Sequence, residues 1–186
     1  MSSYRFERQH LISILILLLG AAWIWFSRIP SESGPSQSIS VPQEGFLAPD
    51  FNLTTLSGDN FVLSEHRGFP VIINFWASWC PPCRAEMPAF QQAFAEYEEL
   101  GLMVAAVNAA NQDSISEAAS FASGNKLTFP IPLDKTGSVS RSYNLYSLPT
   151  TVFIDSQGII RKIIIGGPIP TALIRVQVEK LVQEKP

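Results

Sequence analysis

The chain has two cysteines, Cys80 and Cys83, set in Trp79-Cys80-Pro81-Pro82-Cys83. Two thiols at this spacing can close into a disulfide or open to a dithiol, so the pair is a candidate redox switch. Pro81 and Pro82 cannot sit inside a central strand, but they suit the first turn of a helix, where backbone N–H groups lack intrahelical partners. Cys80 then falls at a helix N-terminus, where free N–H groups and the positive dipole end favour a thiolate. Two other readings compete. A closed zinc site takes four ligands, and beyond the cysteines the chain offers only His10 and His66. A pair of inert core thiols would make Pro-Pro an odd choice for a buried helix.

The surrounding pattern supplies the elements that must position the pair. Val71-Ile72-Ile73-Asn74-Phe75-Trp76 is β-branched and aromatic, a buried strand that delivers the chain to Cys80. After the prolines, Met87, Phe90, Phe94 and Tyr97 recur at helical spacing and give that helix an apolar face. Residues 102–107 read as a second buried strand, continuous in hydrophobicity as parallel strands are. Upstream, Phe51-Asn52-Leu53 and Phe61-Val62-Leu63 flank Ser57-Gly58-Asp59-Asn60, which has hairpin turn chemistry.

Downstream, residues 113–122 look helical with Asp113 or Ser114 as cap. Residues 127–133 are extended by Pro130 and Pro132, and 138–143 suggest a short helix. Residues 150–154 and 159–165 form two strands around Asp155-Ser156-Gln157-Gly158, and Ile174, Val178, Leu181 and Val182 mark one face of a closing helix. Hairpin, βαβα and ββα together predict an α/β fold with a mixed central sheet covered by helices on both faces.

Length and composition agree with one domain plus an extension: 186 residues, 46% hydrophobic. Charged residues are 16% against a usual quarter, a deficit owed largely to the apolar N-terminus. A net charge of −3 without any Lys/Arg cluster argues against a nucleic-acid partner.

Residues 11–26 are apolar apart from Ser13 and Gly20, with Arg5 and Arg8 before them and Arg28 after. That run is just short of the roughly 17–25 residues a spanning helix needs, and Ser27 with a snorkelling Arg28 completes it. A cleaved signal peptide would end in small residues, whereas Trp23-Ile24-Trp25-Phe26 makes a poor cleavage site and a good interfacial belt. The expectation is a cytoplasmic flank at 1–10 and an uncleaved transmembrane signal-anchor at 11–29. A flexible Ser/Pro/Gly linker follows at 30–45, with a root-mean-square reach of roughly 20–24 Å, and a folded head occupies 46–186. The arginine balance keeps the N-terminus cytoplasmic and sends the head outward, as a single-pass protein of the cell membrane.

The stretch from Val71 through Trp79-Cys80-Pro81-Pro82-Cys83 to Arg84-Ala85-Glu86-Met87-Pro88 resembles the membrane-anchored thioredoxin-like proteins of the TlpA/ResA type, within the AhpC/TSA-related redoxins. The likeness continues in Ala48-Pro49-Asp50-Phe51 and in Leu148-Pro149-Thr150-Thr151-Val152-Phe153-Ile154-Asp155. It implies a thioredoxin-like fold and a thiol-disulfide oxidoreductase of the periplasm or cell surface. Such a protein reduces protein disulfides, including those of apocytochrome c during cytochrome c maturation. It is recharged by a membrane thiol electron donor, and it uses no cofactor and no metal. By position Cys80 is implied as the nucleophile and Cys83 as its resolving partner. Pro88 matches a proline that kinks the redox helix, and Pro149 a cis-proline lying against the disulfide. Cys80 is expected to be exposed and Cys83 shielded.

Cytosolic-type thioredoxins carry a buried aspartate beneath the site to move the Cys83 proton; here Asn74 stands in that position and cannot titrate. Glu86 is the candidate replacement, because it shares a helix face with Cys83 and a desolvated carboxyl exchanges protons near neutral pH. Trp79 is expected beside the disulfide, shaping the docking surface, Trp76 in the core, and Arg84 solvated.

Two alternatives stay open. A thiol peroxidase of the peroxiredoxin type shares the Ala48-Pro49-Asp50-Phe51 entry, but sets its cysteine in Pro-x-x-x-Thr-x-x-Cys, whereas Trp76-Ala77-Ser78-Trp79 precedes Cys80. A thioredoxin-like Cu(I) carrier adds a downstream histidine, which this chain lacks, though two thiolates could hold Cu(I) as a pair. Reduction potentials of CxxC proteins run from about −270 mV to about −120 mV, and the resemblance implies the reducing end.

Overall fold

Strand β3 (Val71–Trp76) is the centre of the sheet, and all six of its residues are buried. Strand side chains point alternately to the two faces, so Ile72 and Trp76 enter one apolar cluster while Val71, Ile73 and Phe75 enter the other. The computed structural model describes residues 15–20, 23 and 42–183. The chain divides into two units, Met1–Ser38 and Ile39–Pro186, and the fold below is that of the second.

Four strands form the central sheet in the order β4-β3-β5-β6, where β4 is Met103–Asn108, β5 Thr150–Ile154 and β6 Ile160–Ile165. β3 pairs parallel with β4 and antiparallel with β5, which pairs antiparallel with β6. The sheet is therefore mixed, as expected. A separate antiparallel hairpin joins β1 (Asn52–Thr54) to β2 (Asn60–Val62), with Leu53 opposite Phe61. Gly58 supplies the positive φ of its turn, +95°.

The helices are α1 (Pro81–Tyr97), α2 (Ile115–Gly124), α3 (Ser138–Ser142) and α4 (Thr171–Gln183). They cover the two faces unequally. Met87 and Phe90 of α1, Ala118 of α2, and Ile174, Val178 and Leu181 of α4 pack with Ile72, Trp76 and Phe153 on one side. On the other, α3 is a single turn and contributes Val139, so Phe51, Phe61 and Leu63 from the hairpin region fill the rest. Each fully buried side chain of this size contributes about 1.5–3 kcal/mol. Of the expected apolar face of α1, Met87 and Phe90 are in the core, while Phe94 and Tyr97 are partly buried at its margin.

The expected extended segment at 127–133 is not a strand. It touches the sheet through single bridges, Asn108 to Leu133 and Thr55 to Pro132, while Ala106 N–H and Asn108 N–H donate to the carbonyls of Pro130 and Pro132 at 3.0 and 2.8 Å. It covers the outer edge of β4, which would otherwise present unpaired groups to solvent. At the start of α2, Ser114 is the cap, its Oγ accepting from Glu117 N–H at 3.3 Å.

One boundary needs correction. Glu44 and Gly45, read as the end of the flexible linker, are fastened to β6. Gly45 N–H donates to the Ile160 carbonyl at 2.7 Å, and the Glu44 carboxylate pairs with Lys162 at 2.9 Å and accepts from Ile163 N–H at 3.1 Å. Turn-forming residues were read there as tether because a ladder bond depends on a strand far along the chain. The flank 1–10, most of the anchor 11–29 and the linker up to residue 41 lie outside the described residues. Residues 15–20 are helical, and among the described residues no helix is long and apolar enough to cross a membrane.

Candidate active site

β3 ends at Trp76, and a short loop carries the chain to Cys80, the N-cap of α1, with extended φ and ψ of −89° and 106°. Pro81 and Pro82 occupy the first turn, where a missing N–H costs nothing. Cys80 and Cys83 are joined as a disulfide with Cα atoms 5.3 Å apart, and Cys80 Sγ accepts from Cys83 N–H at 3.3 Å. The expected exposure of Cys80 is corrected: it is 2% exposed, against 0% for Cys83. Its bond to the interior Cys83, and the hydrogen bond across the cap, turn the sulfur inward over the helix end.

Directly behind the pair, Glu86 is 1% exposed. Its Oε1 accepts from Asn74 Nδ2 at 2.8 Å and its Oε2 from Ile169 N–H at 3.0 Å. Burial pushes the carboxyl from the usual 4.5 up to about 7, although the hydrogen bonds from Ile169 and Asn74 pull the other way. Asn74 shares the face of Ile72 and Trp76, which is why it meets α1. Its Nδ2 also donates to Oγ1 of Thr151, the residue directly opposite on β5, at 2.9 Å, while its buried Oδ1 has no partner. The carboxyl singled out from sequence is thus a buried group held by Asn74 of β3, itself braced by Thr151 of β5, and by the connection into α4. Thr151 and Ile169 were missed, because nothing local marks a threonine as the brace of Asn74 or a backbone N–H as the partner of a distant carboxyl.

Asp113 was read as a possible helix cap, and it has another task. Its carboxylate accepts from Ser78 N–H at 2.6 Å, Ser78 Oγ at 2.5 Å, Asn108 Nδ2 at 2.7 Å and Ser114 N–H at 2.8 Å. Burial alone would raise this carboxyl, but hydrogen bonds from Ser78, Asn108 and Ser114 outweigh it and hold it below the usual carboxylate range. The effect is to tie the loop before Cys80 to the end of β4.

Trp79 is 56% exposed and its indole N–H donates to the Gln112 carbonyl at 3.0 Å. With Leu145, Tyr146 and Leu148 it lines a groove of about 350 Å³. Leu148 packs against the cluster that holds both cysteines, and the Leu148–Pro149 peptide bond is cis. The Pro149 carbonyl accepts from Gly166 N–H at 2.8 Å, fixing it to the end of β6. Pro88 lies within α1, which runs on through it to Tyr97. Trp76 is in the core as expected, donating to the Ala106 carbonyl at 3.1 Å. Arg84 is exposed, as expected, with its guanidinium over the Phe121 ring at 4.9 Å and donating to the Ser78 carbonyl at 3.4 Å. Among the described residues no cluster of three His, Cys, Asp or Glu side chains is placed to hold a metal ion.

What this arrangement can do is form and break one disulfide at a helix N-terminus, with a carboxyl behind it that titrates near neutrality. Known proteins of similar sequence carry names of that chemistry. Residues 45–163 match the model of the AhpC/TSA family. The thiol-disulfide oxidoreductase ResA of Geobacillus kaustophilus is 42% identical over 163 residues, covering 86% of this chain and 90% of its own. The thioredoxin-like protein YneN of Bacillus subtilis is 44% identical over 124 residues, covering 67% of this chain and 72% of its own. Among solved structures, StoA of Bacillus subtilis superposes with a TM-score of 0.61 at 31% identity, over 72% of this chain and 98% of that one. The chain belongs to the AhpC/TSA family and, within it, is a thiol-disulfide oxidoreductase of the ResA and StoA type.

Proposed function

We propose that the protein reduces disulfides of other proteins outside the cytoplasm, held at the cell membrane by residues 11–29 and recharged by a membrane thiol electron donor. Its substrates would include the disulfide of apocytochrome c. The observation that carries this reading is the Cys80–Cys83 disulfide at the head of α1, with the buried Glu86 carboxyl one turn behind it.

In the reduced protein, the helix N-terminus favours the Cys80 thiolate. That thiolate attacks one sulfur of the substrate disulfide; the substrate's S–S bond breaks, its other sulfur leaves as a thiolate and takes up a proton, and a mixed disulfide forms. Cys83 then attacks Cys80 Sγ, the mixed disulfide breaks, and the substrate leaves with both thiols reduced. Two electrons have passed from the Cys80–Cys83 dithiol to the substrate. The Cys83 proton must leave before that second attack. A carboxyl titrating at about 7 is matched to a thiol and serves as its acceptor. The Trp79–Tyr146 groove is suited to hold the polypeptide around the substrate disulfide. The membrane placement rests on the apolar run at 11–26 with its flanking arginines, and the apocytochrome c substrate on the resemblance to the TlpA/ResA type.

The test is a Cys83→Ser variant of the full chain expressed in a bacterium with its membranes intact. It should accumulate mixed disulfides through Cys80 with proteins outside the cytoplasm, and external protease should remove the head. A reduction potential near the thioredoxin value of about −270 mV is expected. A potential near −120 mV, or a head protected from external protease, would overturn the proposal.

A further inference from the structure

We propose that Gly167 is a positioning residue for the acid behind the disulfide: its missing side chain is the space that lets Ile169 N–H reach Glu86. This rests on the acid–base role given to Glu86 above and adds the element that tunes it.

The two glycines between β6 and α4 are there for different reasons. Gly166 has a φ of +84°, and a Cβ built on it meets nothing within 4 Å, so its conformation is what requires glycine. Gly167 lies outside that left-handed region, so a positive φ is not what calls for glycine there. A Cβ there would instead stand 2.6 Å from Glu86 Oε2 and 2.7 Å from Pro149 Cγ, closer than packed atoms come. Space is the requirement at 167.

Both neighbours are held by hydrogen bonds, one more rigidly than the other. Pro149 is tied to Gly166 through its carbonyl at 2.8 Å, and Glu86 Oε1 is tied to Asn74 Nδ2 at 2.8 Å. The carboxylate end is the more flexible of the two, so a methyl group at 167 displaces Oε2 and breaks its 3.0 Å bond from Ile169 N–H. That bond favours the charged form, and its loss favours the protonated one.

Among the described residues, the groups shown against the carboxyl are Asn74 from β3, the Ile169 N–H before α4 and the Gly167 backbone, none of which titrates; the Cys80–Cys83 pair stands one turn back on the same helix. The ion pair between α1 and α4, Glu96 with Arg175, sits about 15 Å further along α1. A change at 167 meets Glu86 and Pro149 together, and the Glu86→Gln background separates the two routes to the thiols.

The experiment follows alkylation of the reduced thiols against pH in the wild type, Gly167→Ala, Glu86→Gln and the double variant. Alongside it, the Ile169 amide resonance is followed against pH in the oxidised wild type. Gly167→Ala should move the Glu86-dependent midpoint up by about one pH unit, the worth of one hydrogen bond to a charged group. It should add nothing in the Glu86→Gln background, and the wild-type Ile169 amide should titrate with the Glu86 midpoint. Gly166→Ala, strained but remote from the carboxyl, should lower stability and leave the midpoint in place. A Gly167→Ala profile coincident with wild type, the same displacement in the Glu86→Gln background, or an Ile169 amide indifferent to pH would overturn the inference. The amide measurement decides even if Gly167→Ala fails to fold. Should Glu86→Gln itself leave the profile unmoved, the acid–base role fails; should it move the profile while Gly167→Ala does not, this inference alone fails.

Discussion

Asn74 Nδ2 lies 2.8 Å from Glu86 Oε1, and both residues are buried between β3 and α1. The pairing settles which group beneath the disulfide can ionise. An aspartate at 74 would place two carboxyls in one dry site, where only one could be charged. The asparagine instead donates, so of the two only Glu86 can ionise, at a pH set by burial and two donors.

Glu86 makes the stability of the oxidised protein fall as pH rises. Its folded value of about 7 lies above the usual 4.5, so the folded state holds the proton more tightly than the unfolded chain. Its contribution is fully present below pH 4.5 and is lost progressively up to pH 7, by no more than about 3 kcal/mol. Urea unfolding of the disulfide form at pH 5 and pH 8 should show that decline in the wild type and a flatter response in Glu86→Gln. Parallel curves for the two proteins would show that the carboxyl is not perturbed.

Replacing Asn74 with Ala takes one donor from Glu86 and one from Thr151 Oγ1. The cost should be about 1–3 kcal/mol, and the Glu86 midpoint should rise. Both are read in one pH series of thermal melts on the oxidised variant.

Asp113→Ala frees Ser78 and Asn108 from the carboxylate that holds them. A loss of about 1–3 kcal/mol is expected at neutral pH. Because this carboxyl is held low, its contribution is present above the ordinary carboxylate value and disappears as pH falls through the folded one. The difference from wild type should therefore shrink in acid. A difference as large at pH 2.5 as at pH 7 would argue that the charge is not what matters.

Trp79 and Tyr146, 56% and 79% exposed, face the groove of about 350 Å³ without being needed by the core. Replacing both with Ala should raise KM for a protein disulfide about tenfold, the worth of roughly 1.4 kcal/mol of contact. The rate with a small aromatic disulfide, which needs no extended surface, should change little. Equal losses on both substrates would place these residues in the chemistry rather than in docking.

Local physics made much of the protein readable before any coordinates. β-branched and aromatic runs marked β3, β5 and β6 within a residue or so, because such side chains suit a pleated strand, whether fully buried as in β3 and β5 or largely exposed as in β6. Pro81 and Pro82 marked the start of α1, since neither residue can sit in a strand and both fit a first helical turn. Spacing from Cys83 put Glu86 on the face of the thiols, since positions three apart on a helix are neighbours. What stayed hidden were partners distant in sequence. The Ile169 N–H that bonds Glu86, the Asp113 carboxylate that ties down Ser78, and the attachment of Glu44 to β6 leave no local trace.

By itself the sequence determined the redox pair, the mixed α/β architecture and the placing of Glu86 on the helix face of Cys83, because each follows from residue type and short-range periodicity. Only the tertiary structure decided that Cys80 turns inward, that Glu86 is dry enough to titrate near neutrality, and that three helices crowd one face while a hairpin closes the other. Burial is a property of everything packed around an atom, and a chain acquires it only when segments far apart along it come together.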